Sequence, residues 1–562
     1  MSDVVSRIYG SFRGVDFRGE EVNIARSPDS VNMWKDYKET DSIRTRPSAE
    51  LRAEFDAPIY GVFFYDTGSA HKTFIHSGTA MYDGAKANII SGDIVLNEAL
   101  SQSFVYNGVF YFKDGKNYLF YDSETSTLKE VVPYIPTTSI GRTPKGGGTP
   151  NEDVNLLTGL RKNTFVGTGD ANYLMLDTQN IDEVISVTIN GAETDFKTLT
   201  DYDKEVGRVR RSSYFPEPAT AGQDNIVVTF RKDVKGYPDK INNCTLLQVF
   251  DNRVFCSGNP DSPNVVWHCS LNDPTYWSDL DYYNEGLDES PIRGLVAGNN
   301  VLWVFREPSD ANTTVFYHTP VIDSQYGKIY PGNHSSVATG CVGKAINFND
   351  DIVFFSERGM EGISGDIATE QVIAHRSTLV DRKLTAEAKY KNMLLEEWEG
   401  YLLVFVGSKV YLADSRGMFT NENHVEYEWF YWDIGEEVTS VKVNGNILYI
   451  GTKNGNLCTL TGEGDVPSHW ITPKDKFGYP QRQKTTNKRG CVVEATGDVS
   501  VYAKTESTDF EPIGEYYGVK DYFVSRIKKK KFKDLQLKFK TNTRFSLETA
   551  ILETFVGGYI KR

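Results

Sequence analysis

A hairpin unit recurs along the chain and limits the folds open to it. Each copy has a two-residue turn of Asn, Asp, Gly or Glu followed by a short apolar strand. The turns are Asn107-Gly108, Asp251-Asn252, Asn299-Asn300, Asn349-Asp350, Glu399-Gly400 and Asn444-Gly445. From Asn252 onward they recur every 45 to 50 residues. That period is the length of one four-stranded propeller blade. The repeat therefore predicts an all-β protein built on a β-propeller of about seven blades.

Composition agrees with many short strands joined by tight turns. Aromatic residues make up 13% of the chain, with 32 Tyr and 31 Phe, and there are 48 Gly. Aromatic side chains fit half-buried pleated surfaces, and glycine supplies the positive φ that turns need. A β-sandwich or a series of unrelated meanders is the alternative, but neither explains a period near 50 residues.

One interval between turns is too long for a single blade. Gly108 and Asn252 are 144 residues apart, about 96 more than one blade needs. The excess predicts a β-sandwich inserted between two blades, entered through TPKGGGTP, which we interpret as a flexible linker. Alternating strands near the end predict a C-terminal β-sandwich. The predicted domains are an N-terminal strap (1–50), the first propeller part (51–142), the insert (143–235), the second propeller part (236–477) and a C-terminal β domain (478–562). Helices are expected over Ser27–Tyr37 and Arg382–Glu397.

Charge divides the chain into two parts. The net charge is −15, but residues 478–562 carry 17 basic and 10 acidic side chains, a balance of +7, which leaves −22 on the remainder. A basic run near the end supplies the candidate partner-contact residues Arg526, Lys528, Lys529, Lys530, Lys531 and Lys533. Lysines can protect an edge strand from aggregation. They can also bind an acidic partner, either another subunit's acidic body or nucleic-acid phosphate.

No catalytic signature is present in the sequence. We find no HExxH, GxSxG or P-loop pattern. The pairs Asp279/Asp281 and Asp201/Asp203 are either solvated strand faces or carboxylates for calcium binding or glycoside hydrolysis. The six cysteines form no CxxC pair, which favours free thiols. We therefore predict no enzyme activity, no catalytic metal, no cofactor and no membrane span.

Three stretches resemble a known family. They are GVDFRGEEVNIARSPDSVNMWKDY from Gly14 with IRTRPS from Ile43, the segment Phe250–Asp279, and the ending FVGGYIKR. Together they are similar to tail proteins of short-tailed bacteriophages, namely the packaged-DNA stabilisation proteins and the tail-nozzle (tail tubular) proteins. The resemblance implies a virion tail protein, made in the host cytoplasm, that assembles as a ring, usually a hexamer, below the portal and adaptor. It would retain packaged DNA and pass it at ejection.

Two other functions remain open. One is a carbohydrate-binding or glycoside-cleaving propeller that reads a host receptor, and the other is an ordinary cellular interaction propeller. In the tail interpretation we expect an acidic or neutral channel wall, through which duplex DNA passes without sequence-specific binding. The basis is the acidic body and the lack of a basic face interleaved with aromatics. The lysine run should then face protein.

Overall fold

The computed structural model describes residues 3–38, 42–66, 68, 71–84, 88–194, 202–309, 313–324, 327–335, 339–364, 372–421, 424–517, 523–525 and 529–559. The chain divides into two compact units. Unit 1 combines residues 1–90 with 335–562, and unit 2 comprises residues 91–334. Each unit is described by itself below.

The protein is an all-β propeller, and seven sets of four antiparallel strands are its blades within the described residues. Unit 2 holds blade 2 (Gln102–Tyr106, Val109–Lys113, Tyr118–Asp122, Thr127–Glu130), blade 3 (Leu246–Phe250, Arg253–Ser257, Val265–His268, Tyr282–Asn284) and blade 4 (Ile292–Gly298, Val301–Arg306, Val315–His318, Gly332–Ser335). A small hairpin, Val321–Asp323 with Gly327–Ile329, precedes the last strand of blade 4.

Unit 1 holds the other four blades. They are blade 1 (Ile59–Asp66, His71–Ser77, Ala80–Asp83, Asn88–Ile89), blade 5 (Ala345–Phe348, Asp351–Ser356, Gly359–Ser364, Val372–His375), blade 6 (Leu394–Trp398, Tyr401–Val406, Lys409–Asn421, His424–Asp433) and blade 7 (Val438–Asn444, Ile447–Thr452, Asn456–Gly462, Ser48–Glu54). The last strand of blade 7 comes from the N-terminal part of the chain, where Ala53 pairs with Leu457 and Glu50 with Thr459.

The repeated turns have one structural role. Five of the six pairs connect the first and second strands of a blade, as Asp251-Asn252 does between Phe250 and Arg253. In blade 7 the turn lies one residue later than predicted, at Gly445-Asn446, because Asn444 pairs with Ile447. Both turn residues have positive φ in five of the six copies, for example 49° and 56° at Asp251 and Asn252. Left-handed residues at both positions match the twist of a two-residue hairpin. The repeat in the sequence therefore marks the first hairpin of six of the seven blades.

The insert has a core of its own in unit 2. Its larger sheet runs Thr149–Pro150, Thr137–Arg142, Leu160–Phe165, Ile226–Arg231, Glu183–Ile189, Ala192–Glu193, and its smaller sheet runs Tyr173–Met175, Arg208–Arg210, Tyr202–Asp203. Phe165, Leu174 and Phe230 are in the shared core. The interpretation of TPKGGGTP as a flexible linker is wrong. Thr143 and Gly146 exchange backbone hydrogen bonds, so the glycines form a turn inside the larger sheet.

The C-terminal β-sandwich of unit 1 packs two sheets together. One runs Ser468–Ile471, Leu535–Thr541, Val499–Thr505, Thr508–Tyr516. The other contains Asp3–Tyr9, Phe545–Tyr559 and Arg482–Gly497, and Arg482–Gly497 also pairs with Phe523–Ser525 and Lys530–Phe532. Val501, Leu537 and Leu552 are in the core between the sheets. Through Ile43–Thr45 and Met33–Trp34, the second sheet continues into blade 6.

Neither predicted helix forms as expected. Over Ser27–Tyr37 the chain forms no helix but the short strands Arg26–Ser27 and Met33–Trp34, the first of which pairs with Gly14–Val15. Tertiary partners take its backbone groups: Val31 pairs with His469, and the Asn32 N–H donates to Tyr431 O. A local helix-start signal cannot compete with neighbouring strands that offer hydrogen bonds.

The second predicted helix is replaced by three short elements. Asp381–Leu384 is one α-helical turn, Tyr390–Asn392 is a 3₁₀ turn, and Leu394–Trp398 is the first strand of blade 6. The other described helix is Tyr237–Asn242. None of the described helices is long and apolar enough to cross a bilayer. The cysteines are free thiols, as predicted.

Candidate functional site

The lysine run lies at the edge of the C-terminal sandwich. Lys530–Phe532 forms a short strand on Arg482–Gly497, with Phe532 opposite Lys484 and Lys530 opposite Thr485. Arg526 and Lys528 lie outside the described residues. Phe532 is buried, whereas Lys531 and Lys533 on either side of it are exposed.

Contacts within the chain hold the backbone of this strand. The Lys529 N–H donates to Thr486 Oγ1 at 3.2 Å, and the Lys529 ammonium pairs with Glu511. The Lys533 N–H donates to both carboxylate oxygens of Glu506, at 2.8 and 2.9 Å. The structure thus anchors the run through its backbone and leaves the side chains of Lys531 and Lys533 at the surface.

A buried lysine that the sequence did not single out supports this strand. Lys484 is 1% exposed, and its ammonium donates to the carbonyl oxygens of Tyr479 (2.6 Å), Lys533 (2.7 Å) and Arg482 (3.0 Å). Burial lowers its pKa. Three carbonyl acceptors satisfy the three donors of an ammonium, so Lys484 has a structural role and holds these backbone segments together. Nothing in RQKTT distinguishes this lysine from a solvated one.

The carboxylates Asp279 and Asp281 lie beside a third, Asp153, at the end of the insert. The Asp279 side chain accepts from the Tyr237 hydroxyl at 3.3 Å, and Asp153 accepts from the Ser278 hydroxyl at 3.1 Å. Burial, opposed by Arg253 and reinforced by Asp153 and Asp279, raises the pKa of Asp281 to about 6. Of the other predicted pair, Asp201 lies outside the described residues, while Asp203 pairs with Arg208 at 3.2 Å.

A buried ion pair fixes the N-terminal segment to blade 6. The Arg26 guanidinium donates two bonds to the Glu428 carboxylate, at 2.7 and 2.8 Å, and lies 4.4 Å from the ring centroid of Phe419. Burial raises the pKa of Glu428 more than Arg26 lowers it. The sequence did offer a signal here, since Glu428 interrupts the aromatic run YEWFYWD, where an acid must be buried.

No cluster of three or more His, Cys, Asp or Glu residues suited to a metal ion occurs in the part of the chain that the structure describes. Other buried polar groups form ion pairs, such as His318 with Glu285 at 2.7 Å and His375 with Glu361 at 3.2 Å. His318, Glu285 and Glu361 are buried, so these pairs have a structural role. The first joins blade 4 to the end of blade 3, and the second joins two strands of blade 5.

No protein-family model and no curated protein sequence matches the chain. Among solved structures, BamB from Moraxella catarrhalis is 11% identical with a TM-score of 0.35, covering 74% of this chain and 99% of its own. The computationally designed Ika8 protein is 11% identical with a TM-score of 0.32, covering 73% and 99%. An exo-β-1,3-galactanase from Phanerochaete chrysosporium is 8% identical with a TM-score of 0.22, covering 54% and 94%.

Proposed function

We propose that the chain is a structural subunit of a bacteriophage tail, a hub or nozzle ring that lines the DNA channel, retains the packaged genome and passes it at ejection. The proposal rests first on the resemblance of the strap, blade 3 and the C-terminal end to tail proteins of short-tailed phages. It includes a homo-oligomeric ring of about six copies, contacts with the portal adaptor and other tail proteins, and a place in the virion tail.

The main structural support for the proposal is that the N-terminal segment contributes strands to several parts of unit 1. Asp3–Tyr9 is a strand of the C-terminal sandwich, Met33–Trp34 and Ile43–Thr45 link that sandwich to blade 6, and Ser48–Glu54 completes blade 7. Many backbone hydrogen bonds would have to break together before these parts separate. Strands linked in this way resist separation, which is a property that a channel subunit holding packaged DNA needs.

The proposal excludes catalysis. Ion pairs account for the histidine–carboxylate and arginine–carboxylate contacts described above, which leaves the carboxylates of Asp153, Asp279 and Asp281 as the candidate acid–base groups. The competing function is a carbohydrate-binding or glycoside-cleaving propeller. One observation favours it: Asp281 has the raised pKa that a general acid needs, and two further carboxylates lie nearby.

A mass measurement tests the ring. The full chain of 63.2 kDa, either purified or extracted from intact virions, is analysed by native mass spectrometry. In the virion extract we expect a complex whose mass is about six times that of one chain. A single copy per virion, or absence from virions, contradicts the proposal.

Polysaccharide turnover tests the competing function. The wild-type chain should release no reducing ends from host surface polysaccharide. Robust turnover that is lost in Asp281→Asn and retained in the surface control Asp203→Asn would replace the tail proposal with the glycosidase.

A further inference from the structure

The outer face of the C-terminal sandwich carries a row of apolar side chains across four strands. Ile8 lies opposite Ile551, Ile551 opposite Val492, and Val492 opposite Val524. Ile8 is 61% exposed and Val524 43% exposed, while Ile551 and Val492 between them are partly exposed. At about 4.8 Å per strand, the row is about 14 Å long.

The alternation of the strands shows that this face points away from the core. Arg7, Leu552 and Cys491 are one residue away on their strands and are register partners of one another. Leu552 and Cys491 are fully buried in the core between the two sheets. Because successive side chains point to opposite faces, the row from Ile8 to Val524 lies on the solvent side.

A second apolar pair on the same face lies four residues along the strands. Val4, which is 57% exposed, is opposite Phe555, which is 36% exposed. Between the pair and the row lie Ser6 and Glu553, and the Glu553 carboxylate accepts from Asn487 Nδ2 at 2.8 Å. Exposed apolar residues normally occur singly, so six on one sheet face are a mark of an interaction site.

The lysine run lies beside this apolar face. Thr485 is the register partner of both Phe555 and Lys530, so the strand of the run begins next to the Val4–Phe555 pair. Lys531 is exposed on that strand, and Lys533 is exposed one residue after the strand ends. The face therefore combines an apolar centre with a basic border, which is the composition of a protein–protein interface rather than of a DNA-binding surface.

We propose that this face, centred on Ile8, Ile551, Val492 and Val524, docks onto the acidic body of a second copy of the same chain. Charge complementarity selects that occupant: the C-terminal 85 residues carry +7, and the remaining 477 carry −22. A contact between two different surfaces of identical chains is heterologous, and it generates a ring when the rotation closes. The inference rests on the proposed ring and names the surface that builds it.

The test uses the full chain and measures self-association by sedimentation velocity from 1 to 100 µM. The first double variant, Ile8→Ser/Val524→Ser, removes apolar area from the row. The second, Lys531→Glu/Lys533→Glu, reverses the charge of the basic border. Val132→Ser, at a 72% exposed valine of unit 2, is the matched control. We expect the wild type to associate, each double variant to weaken association at least tenfold, and the control to leave it unchanged.

Salt separates the two contributions. Raising the salt concentration from 0.05 to 0.5 M should weaken the wild-type association and leave that of the Lys531→Glu/Lys533→Glu variant nearly constant, because exposed charges are screened. Circular dichroism of each variant confirms the fold. A wild type that stays monomeric at 100 µM overturns the self-docking inference. Association that all variants retain shows that another surface builds the ring, and the tail proposal then survives without this interface. Absence of any ring from the virion removes the tail proposal itself.

Discussion

The N-terminal segment and the insert are both additions to propeller blades, but they are attached in opposite ways. The N-terminal segment has no core of its own and contributes strands to blade 7 and the C-terminal sandwich. The insert encloses its own core around Phe165, Leu174 and Phe230. It meets blade 3 along residues 153–156, which form hydrogen bonds with residues 275–279.

The difference predicts how each part tolerates change. A segment that completes other sheets shares their cooperativity, so its removal exposes strand edges and buried charges. An inserted sandwich with its own core contributes little to the stability of the blades. Four experiments test whether the two parts are attached in these different ways.

The largest effect is expected from deleting residues 1–54. The deletion removes the last strand of blade 7 and the outer strand of the C-terminal sandwich, so unit 1 should fail to fold and the protein should precipitate on expression. The matched deletion replaces residues 161–230 of the insert with two glycines, because Leu160 and Arg231 are register partners. That protein should stay soluble with a β-rich circular dichroism spectrum. Soluble protein from the first deletion would refute the contrast.

Glu428→Gln should destabilise the protein by about 3–5 kcal/mol. The substitution leaves the Arg26 guanidinium buried and charged without its carboxylate, which is the costly way to break such a pair. The control is Glu463→Gln, whose partner Arg544 is exposed, and it should cost less than about 0.5 kcal/mol. Urea unfolding monitored by tryptophan fluorescence measures both, and equal midpoints would show that the strap is not held by this pair.

Asn155→Ala should cost about 2 kcal/mol and act at the junction of insert and blade 3. The buried amide of Asn155 donates to Tyr134 O at 2.8 Å and Thr275 O at 2.9 Å, and its oxygen accepts from the Leu157 and Trp277 N–H groups, both at 3.1 Å. Deleting the side chain leaves these groups unsatisfied. Hydrogen exchange should show faster opening around Trp277 and unchanged rates in the core of the insert. Uniformly faster exchange would mean that insert and blade unfold as one.

Asp281→Asn should stabilise the protein by about 1 kcal/mol at pH 7. The folded-state pKa of Asp281 is raised to about 6 from an ordinary 3.8. Its stabilising contribution is therefore present below pH 3.8 and is lost as the pH rises through 6. The advantage of the variant should shrink as the pH is lowered from 7 to 4. Melting temperatures at both pH values check the sign, and an advantage that is constant with pH would exclude ionisation of Asp281 as its cause.

The sequence predicted the parts whose signal is local. The turn pairs carried the propeller period, because positive φ at two consecutive residues is a property of Asn, Asp and Gly themselves. The excess length between Gly108 and Asn252 revealed an insert. The lysine run could be located but not interpreted, since the same lysines suit a protected edge and an interface.

Other features depend on residues far apart in the chain. Ser27–Tyr37 has the local signal of a helix, yet Tyr431 and His469 supply the backbone hydrogen bonds that keep it extended. Glu428 and Arg26 are 402 residues apart, and Lys484 depends on a carbonyl 49 residues away. The row from Ile8 to Val524 unites four strands that no sequence period connects.

A propeller with an added sandwich could be predicted from the sequence alone, because hairpin turns and strand alternation are encoded within a few residues. The fold, and not the local sequence, establishes which strand completes blade 7, which charges are buried, and which apolar side chains remain on the outside of the C-terminal sandwich. Pairing between distant strands determines which side chains are buried, and burial determines whether a lysine holds backbone segments together, as Lys484 does, or lies at the surface, as Lys531 does.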